Sequence, residues 1–130
     1  MRHQTQLIVN QIASVWSLLL IALMAFTLPI QAAEKDAHTA WEMINNGALV
    51  VDVRTAEEFA LGHLDNAINI PFENISNEFK QRGIAKEQAV VVYCRSGRRS
   101  GIAQQSLIEQ GYDHTYNGGG LESLAAHNKQ

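Results

Sequence analysis

The only cysteine of the 130-residue chain, Cys94, stands between an apolar run and a cluster of cations. Ala89 to Tyr93 reads as a buried strand, Arg95, Ser96, Gly97, Arg98, Arg99 and Ser100 as a loop, and Gly101 to Gln110 as a helix. This order puts a sulfur where a strand stops and a helix begins, beside three guanidinium groups. Such surroundings lower the pKa of a thiol, and the thiolate is the reactive form of cysteine. Cys94 is therefore expected to be a catalytic nucleophile. A lone cysteine forms no internal disulfide, and its other ordinary use, as a small buried hydrophobe, fits poorly beside three arginines.

The elements around this loop alternate in type. Asp36 to Asn46 reads as a helix with Trp41 and Ile44 on one face, stopped by Gly47. Ala48 to Val53 is continuously apolar, as a strand covered on both faces should be. Thr55 and Glu58 have the spacing of a capping box ahead of Phe59 and Leu61, and Gly62 ends that short helix. A strand from Ala67 to Ile70 stops at Pro71. A helix from Asn74 to Arg82 ends at Gly83, and Gly111 closes the helix behind Cys94. A short strand, His114 to Tyr116, a glycine turn at Gly118 to Gly120 and a helix from Leu121 to about His127 complete the chain. Alternation of this kind predicts an α/β three-layer sandwich with a mostly parallel central sheet flanked by helices. Ligands of such sheets sit at the carboxyl ends of strands, where Cys94 falls.

Between Arg2 and Glu34 there is no Lys, Arg, Asp or Glu, and Val15 to Leu28 is almost wholly apolar. With Pro29 and the small residues Ala32 and Ala33 behind it, this stretch reads as an export signal over residues 1–33, or as an uncleaved anchor. Either way residues 34–130, expected to form one domain, lie outside the cytoplasm, in the periplasm, touching the membrane only if the segment is kept. Trp16 belongs to this segment and Trp41 to the core. Thirteen acidic residues face ten basic ones, of which Arg2 lies in the export segment. The charge and the absence of a basic stripe argue against nucleic acid as a partner; the local arginines suit a small anion.

Two further stretches join the cysteine loop in resembling the rhodanese domain family. Val51, Asp52, Val53 and Arg54, followed by Glu58, Phe59, Gly62, His63, Leu64, Ala67, Asn69 and Pro71, resemble its N-terminal signature. Cys94 to Ser100 resembles its active loop, and Asn117, Gly118, Gly119, Gly120 and Leu121 its closing glycine turn. The resemblance implies an exported single-domain thiosulfate sulfurtransferase working by double displacement. Cys94 attacks the outer sulfur of thiosulfate, sulfite leaves, and cyanide or a thiol takes the sulfur from the resulting persulfide. No metal or organic cofactor is implied, and the domain is expected to be a monomer.

Gly97 supplies the backbone freedom for a tight curl in which successive N–H groups point inward, an anion nest continued by the helix N-terminus. The helix terminus contributes only about 0.3–1 kcal/mol against about 1.4 kcal/mol per pKa unit. Loop N–H groups and arginines must supply any larger shift. The substrate-binding set is expected to be Arg95, Ser96, Gly97, Arg98, Arg99 and Ser100. Within it, Arg95 and Arg98 are candidates for the sulfonate, Arg99 supports the loop and Ser100 caps the helix. Asp52, Arg54, Glu58 and His63 are expected to anchor the neighbouring turns rather than to transfer protons. The rival readings are a persulfide carrier for a partner protein, an inactive regulatory domain, and a cysteine phosphatase or arsenate reductase. The last pair need five or more residues between Cys and Arg, whereas four separate Cys94 from Arg99.

Overall fold

Four short stretches, two of them valine-rich, become the strands of one parallel sheet. The computed structural model describes residues 35–129; the expected export segment 1–33 and the domain boundary at residue 34 lie outside the described residues. The order is α1 (Ala37–Asn45), β1 (Leu49–Asp52), α2 (Ala56–Ala60), β2 (Ile68–Asn69), a 3₁₀ turn (Phe72–Asn74), α3 (Ile75–Gln81), β3 (Val90–Cys94), α4 (Arg98–Glu109), β4 (Thr115–Gly120) and α5 (Leu121–His127). The sheet order is β2-β1-β3-β4, and every pairing is parallel. Among the described residues no helix is long and apolar enough to cross a membrane.

Alternation along the central strands divides the core into two layers. On one face Val51, Val90, Val92 and Cys94 meet Ile75 and Phe79 of α3 and Ala103 and Leu107 of α4. On the other, Val50, Val91 and Tyr93 meet Ala40 of α1 and Leu124 of α5. Valine is favoured here because its branched side chain suits a pleated surface packed on both sides. Trp41 lies partly buried in the second layer, its indole N–H donating to the Leu124 carbonyl at 2.8 Å.

The helix ends follow local chemistry. Asp36 caps α1 by accepting from the His38 and Thr39 N–H groups. At α2 the capping box is complete: Thr55 accepts from the Glu58 N–H, and the Glu58 carboxylate accepts from the Thr55 N–H.

Two expected boundaries are corrected at the ends that form the site. Helix α4 begins at Arg98, three residues before Gly101, because Gly97 adopts a left-handed φ of 92° and itself becomes the N-cap. The run Gly118 to Gly120 is the end of β4 rather than a free turn. Its register against β3 slips between Val92, which faces Asn117, and Cys94, which faces Gly120. An irregularity of this sort re-aims backbone at the end of a strand. The close approach requires glycine, since a Cβ on Gly120 would stand 2.5 Å from the Arg95 carbonyl oxygen.

Candidate active site

Cys94 is the last residue of the central strand β3, and its sulfur faces the first turn of α4. The Gly97 N–H donates to Sγ at 3.0 Å, and the Ser100 hydroxyl lies 3.4 Å from it. Burial is the largest influence on this thiol and pushes its pKa up. The Ser100 hydroxyl and the Ser100, Ser96 and Gly97 N–H groups act the other way, and together they leave it below the ordinary value. Cys94 is thus held by donors although it is only 1% exposed.

Ser100 is not a helix cap. It lies in the first turn of α4, as its third residue, fully buried, where helical geometry turns its side chain toward the sulfur. Its hydroxyl also reaches Asn117 Oδ1, at 2.7 Å. One proton serves one acceptor at a time, so the two bonds alternate. Asn117 tolerates the loss because the Gly119 N–H donates to the same oxygen at 3.0 Å. Its amide also donates to the Gly97 carbonyl at 3.0 Å, fixing the residue whose N–H holds the sulfur. In the sequence Asn117 is only the first residue of the closing glycine motif. Nothing local in the sequence shows that it reaches back across the sheet.

The arginines divide into committed and free. Arg99 makes a two-point ion pair with Glu58, at 2.7 Å and 2.9 Å, tying α4 to the capping box of α2. Arg54 is buried on Asp52, with contacts of 2.6–3.0 Å, and its Nη2 donates to the Gly62 carbonyl at 2.6 Å. Arg95 and Arg98 are exposed. Arg95 borders an open cavity of about 370 Å³ together with Arg54, Glu58, Leu61, Gly62, Leu121 and Glu122. Ser96 is exposed on the loop and Gly97 buried. His63 stands apart from this network: it is exposed, stacks on Phe59 with ring centroids 3.7 Å apart, and contacts the Phe59 carbonyl. Among the described residues no group of three or more His, Cys, Asp or Glu could hold a metal ion.

The Glu58–Arg99 pair should be visible in acid. Hydrogen bonding from Arg99, and then from the Thr55 N–H, lowers the Glu58 pKa to about 2. A depressed carboxyl stabilises the fold above its unfolded pKa of about 4.3. That contribution fades as pH falls from there toward 2. Urea unfolding of Glu58→Gln is expected to lack this part of the acid dependence and to match wild type most closely near pH 2.

A parallel sandwich with a single buried cysteine at the end of its central strand, ringed by N–H donors, defines a class of domain, and the chain belongs to it: the Rhodanese-like domain family matches residues 36–127. It is 36% identical over 107 residues to thiosulfate sulfurtransferase PspE of Escherichia coli strain K12, covering 82% of this chain and 89% of that protein. It is 40% identical over 80 residues to a sulfurtransferase of Allochromatium vinosum, covering 61% and 73%. A solved structure described as a rhodanese with anions from E. coli shares 38% identity with a TM-score of 0.58, covering 61% of this chain and 93% of that one.

Proposed function

We propose that the protein is a thiosulfate sulfurtransferase that carries sulfane sulfur as a persulfide on Cys94. The observation that carries this reading is the ring of donors on Sγ: the Gly97 N–H at 3.0 Å and the Ser100 hydroxyl at 3.4 Å. The reaction needs an anionic nucleophile and no proton transfer. The Cys94 thiolate attacks the outer sulfur of thiosulfate, the S–S bond of the donor breaks, and its electron pair leaves with sulfite. A thiolate and a dianion become a persulfide anion and a dianion, so charge balances. Cyanide or a thiolate then attacks the terminal sulfur, and Cys94 leaves as the thiolate it was. Because the negative charge stays on sulfur throughout, donors that stabilise the thiolate also serve the persulfide. At 1% exposure Cys94 admits the narrow sulfane end of the donor rather than its body. Arg95 and Arg98, exposed at the loop, are the candidates to meet the sulfonate, since guanidinium planes suit oxyanions.

The same reading covers location. The uncharged apolar stretch before Glu34 supports export to the periplasm, with membrane attachment only if that stretch is retained. The mass of the protein recovered from a periplasmic extract tests it.

The reaction is tested by incubating the reduced protein with thiosulfate. Mass spectrometry should find one added sulfur atom on the peptide holding Cys94 and one sulfite released per chain, with repeated turnover once cyanide is added. p-Nitrophenyl phosphate should not be hydrolysed. Persulfide without turnover on any small acceptor would favour the carrier, and phosphate release would favour a phosphatase.

A further inference from the structure

Lys35 lies across the active loop. Its Cδ, Cε and Nζ stand 2.6, 2.9 and 2.9 Å from the place a Cβ on Gly97 would occupy. Its Cβ and carbonyl oxygen stand 3.2 and 3.6 Å from the corresponding place on Gly119. These two glycines bracket the sulfur's cradle: the Gly97 N–H donates to Sγ, and the Gly119 N–H donates to the Asn117 oxygen that Ser100 reaches. The lysine is held there by the next residue. Asp36 caps α1, and its own N–H donates to the Tyr116 hydroxyl on β4 at 3.0 Å. The stem therefore crosses glycine surface that no other residue type would leave open.

Charge accounting at the loop gives this placement its meaning. Thiosulfate is a dianion and must meet a thiolate, and the sulfite that leaves is again a dianion. Of the cations near the loop, Arg54 is committed to Asp52 and Arg99 to Glu58, while Arg95 and Arg98 stand exposed on the loop itself and Lys35 joins them from outside it. Among the described residues Lys35 forms no ion pair with a carboxylate. The path from Nζ through Gly97 to Sγ bounds their separation at about 9 Å by standard bond lengths, about one Debye length at physiological salt. A flexible ammonium on a stem anchored over apolar backbone is suited to meet an incoming anion while the stem shields the sulfur.

We propose that the Lys35 ammonium, laid over Gly97, recruits the dianionic sulfur donor to Cys94. This role rests on the sulfurtransferase reading above. Lys35 is a positioning residue: it acts on the encounter with the donor and leaves the bond exchange to the loop.

The test compares wild type with Lys35→Met, which keeps the stem and removes the charge, using two donors of like chemistry and unlike charge. Thiosulfate is a dianion; methanethiosulfonate is a monoanion that gives the same persulfide and releases methanesulfinate. In Lys35→Met the KM for thiosulfate should rise about 5–10-fold, and that for methanethiosulfonate about twofold, with kcat within about twofold, in the range of electrostatic steering. The fall of thiosulfate kcat/KM with added salt should flatten. Alkylation of Cys94 by neutral iodoacetamide, with the thiol fully ionised, should be unchanged. A variant with wild-type KM for thiosulfate at every salt concentration overturns the role of Lys35 alone. Equal losses with both donors, or altered alkylation, also overturn it by showing a structural effect. A wild-type protein that forms no persulfide from thiosulfate overturns the assigned reaction itself, and the role with it.

Discussion

Cys94→Ser is expected to release sulfite from thiosulfate at least about a thousandfold more slowly than wild type, because covalent catalysis ends with the loss of its nucleophile. The variant should fold. Serine is close in size, and its hydroxyl can keep the Gly97 and Ser100 donors engaged at the end of β3. The ring of donors cannot rescue the chemistry. It lowers the pKa of a group that begins near 8.5, whereas an alcohol begins so much higher that the same bonds leave it neutral. Parallel single-turnover traces with thiosulfate, and circular dichroism to verify the fold, decide the matter. Sulfite release within tenfold of wild type would mean that the sulfur atom is not the acceptor.

The second large effect is on stability. Asp52 is fully buried, Arg54 is 7% exposed, and each uses the other as its main partner. Asp52 also accepts from the Arg54 N–H at 3.0 Å, so the pair fixes the turn that leads into α2 as well as a charge. Removing one member leaves the other charged and buried, at a cost of about 3–5 kcal/mol. Asp52→Ala should therefore lower Tm by about 12 °C or more, since each kcal/mol is worth about 4–8 °C in a domain this small. The double variant Asp52→Leu with Arg54→Met should recover much of the loss, because an apolar pair leaves no charge stranded. Thermal melts of the two variants give the answer. A loss below about 1 kcal/mol in Asp52→Ala would show that water reaches the pair.

What the sequence disclosed was local. The capping box at Thr55 and Glu58 is a matter of neighbours three residues apart, and the structure has it in full. The final helix, Leu121–His127, has the expected bounds. The valine runs announced strands covered on both faces, and the sheet is parallel throughout. The position of Cys94 at the end of a strand followed from the run that precedes it.

Long-range partners were not legible. The spacing to Thr55 shows Glu58 only as a cap, yet the same carboxylate meets Arg99 across 41 positions. From sequence Ser100 has the place of a cap, directly before the helical pattern that starts at Gly101. Gly97, left-handed and without a capping side chain, starts that helix earlier and turns the serine inward. Asn117 reaches the Gly97 carbonyl across 20 positions, and Lys35 lies over a surface that exists only once β4 has closed beside the loop. The expectation of three arginines around the sulfur also needed the fold, since the Asp52 and Glu58 partners decide which guanidinium groups remain available.

The most direct test of the account is a pH titration of the thiolate by its ultraviolet absorbance, in wild type and in Ser100→Ala, with Cys94→Ser as the blank. The donors around Sγ predict a single transition below the value of about 8.5 for a free cysteine, shifted upward in Ser100→Ala. A wild-type transition at or above that value, unmoved by loss of the Ser100 hydroxyl, would contradict the claim that these donors hold Cys94 as an anion.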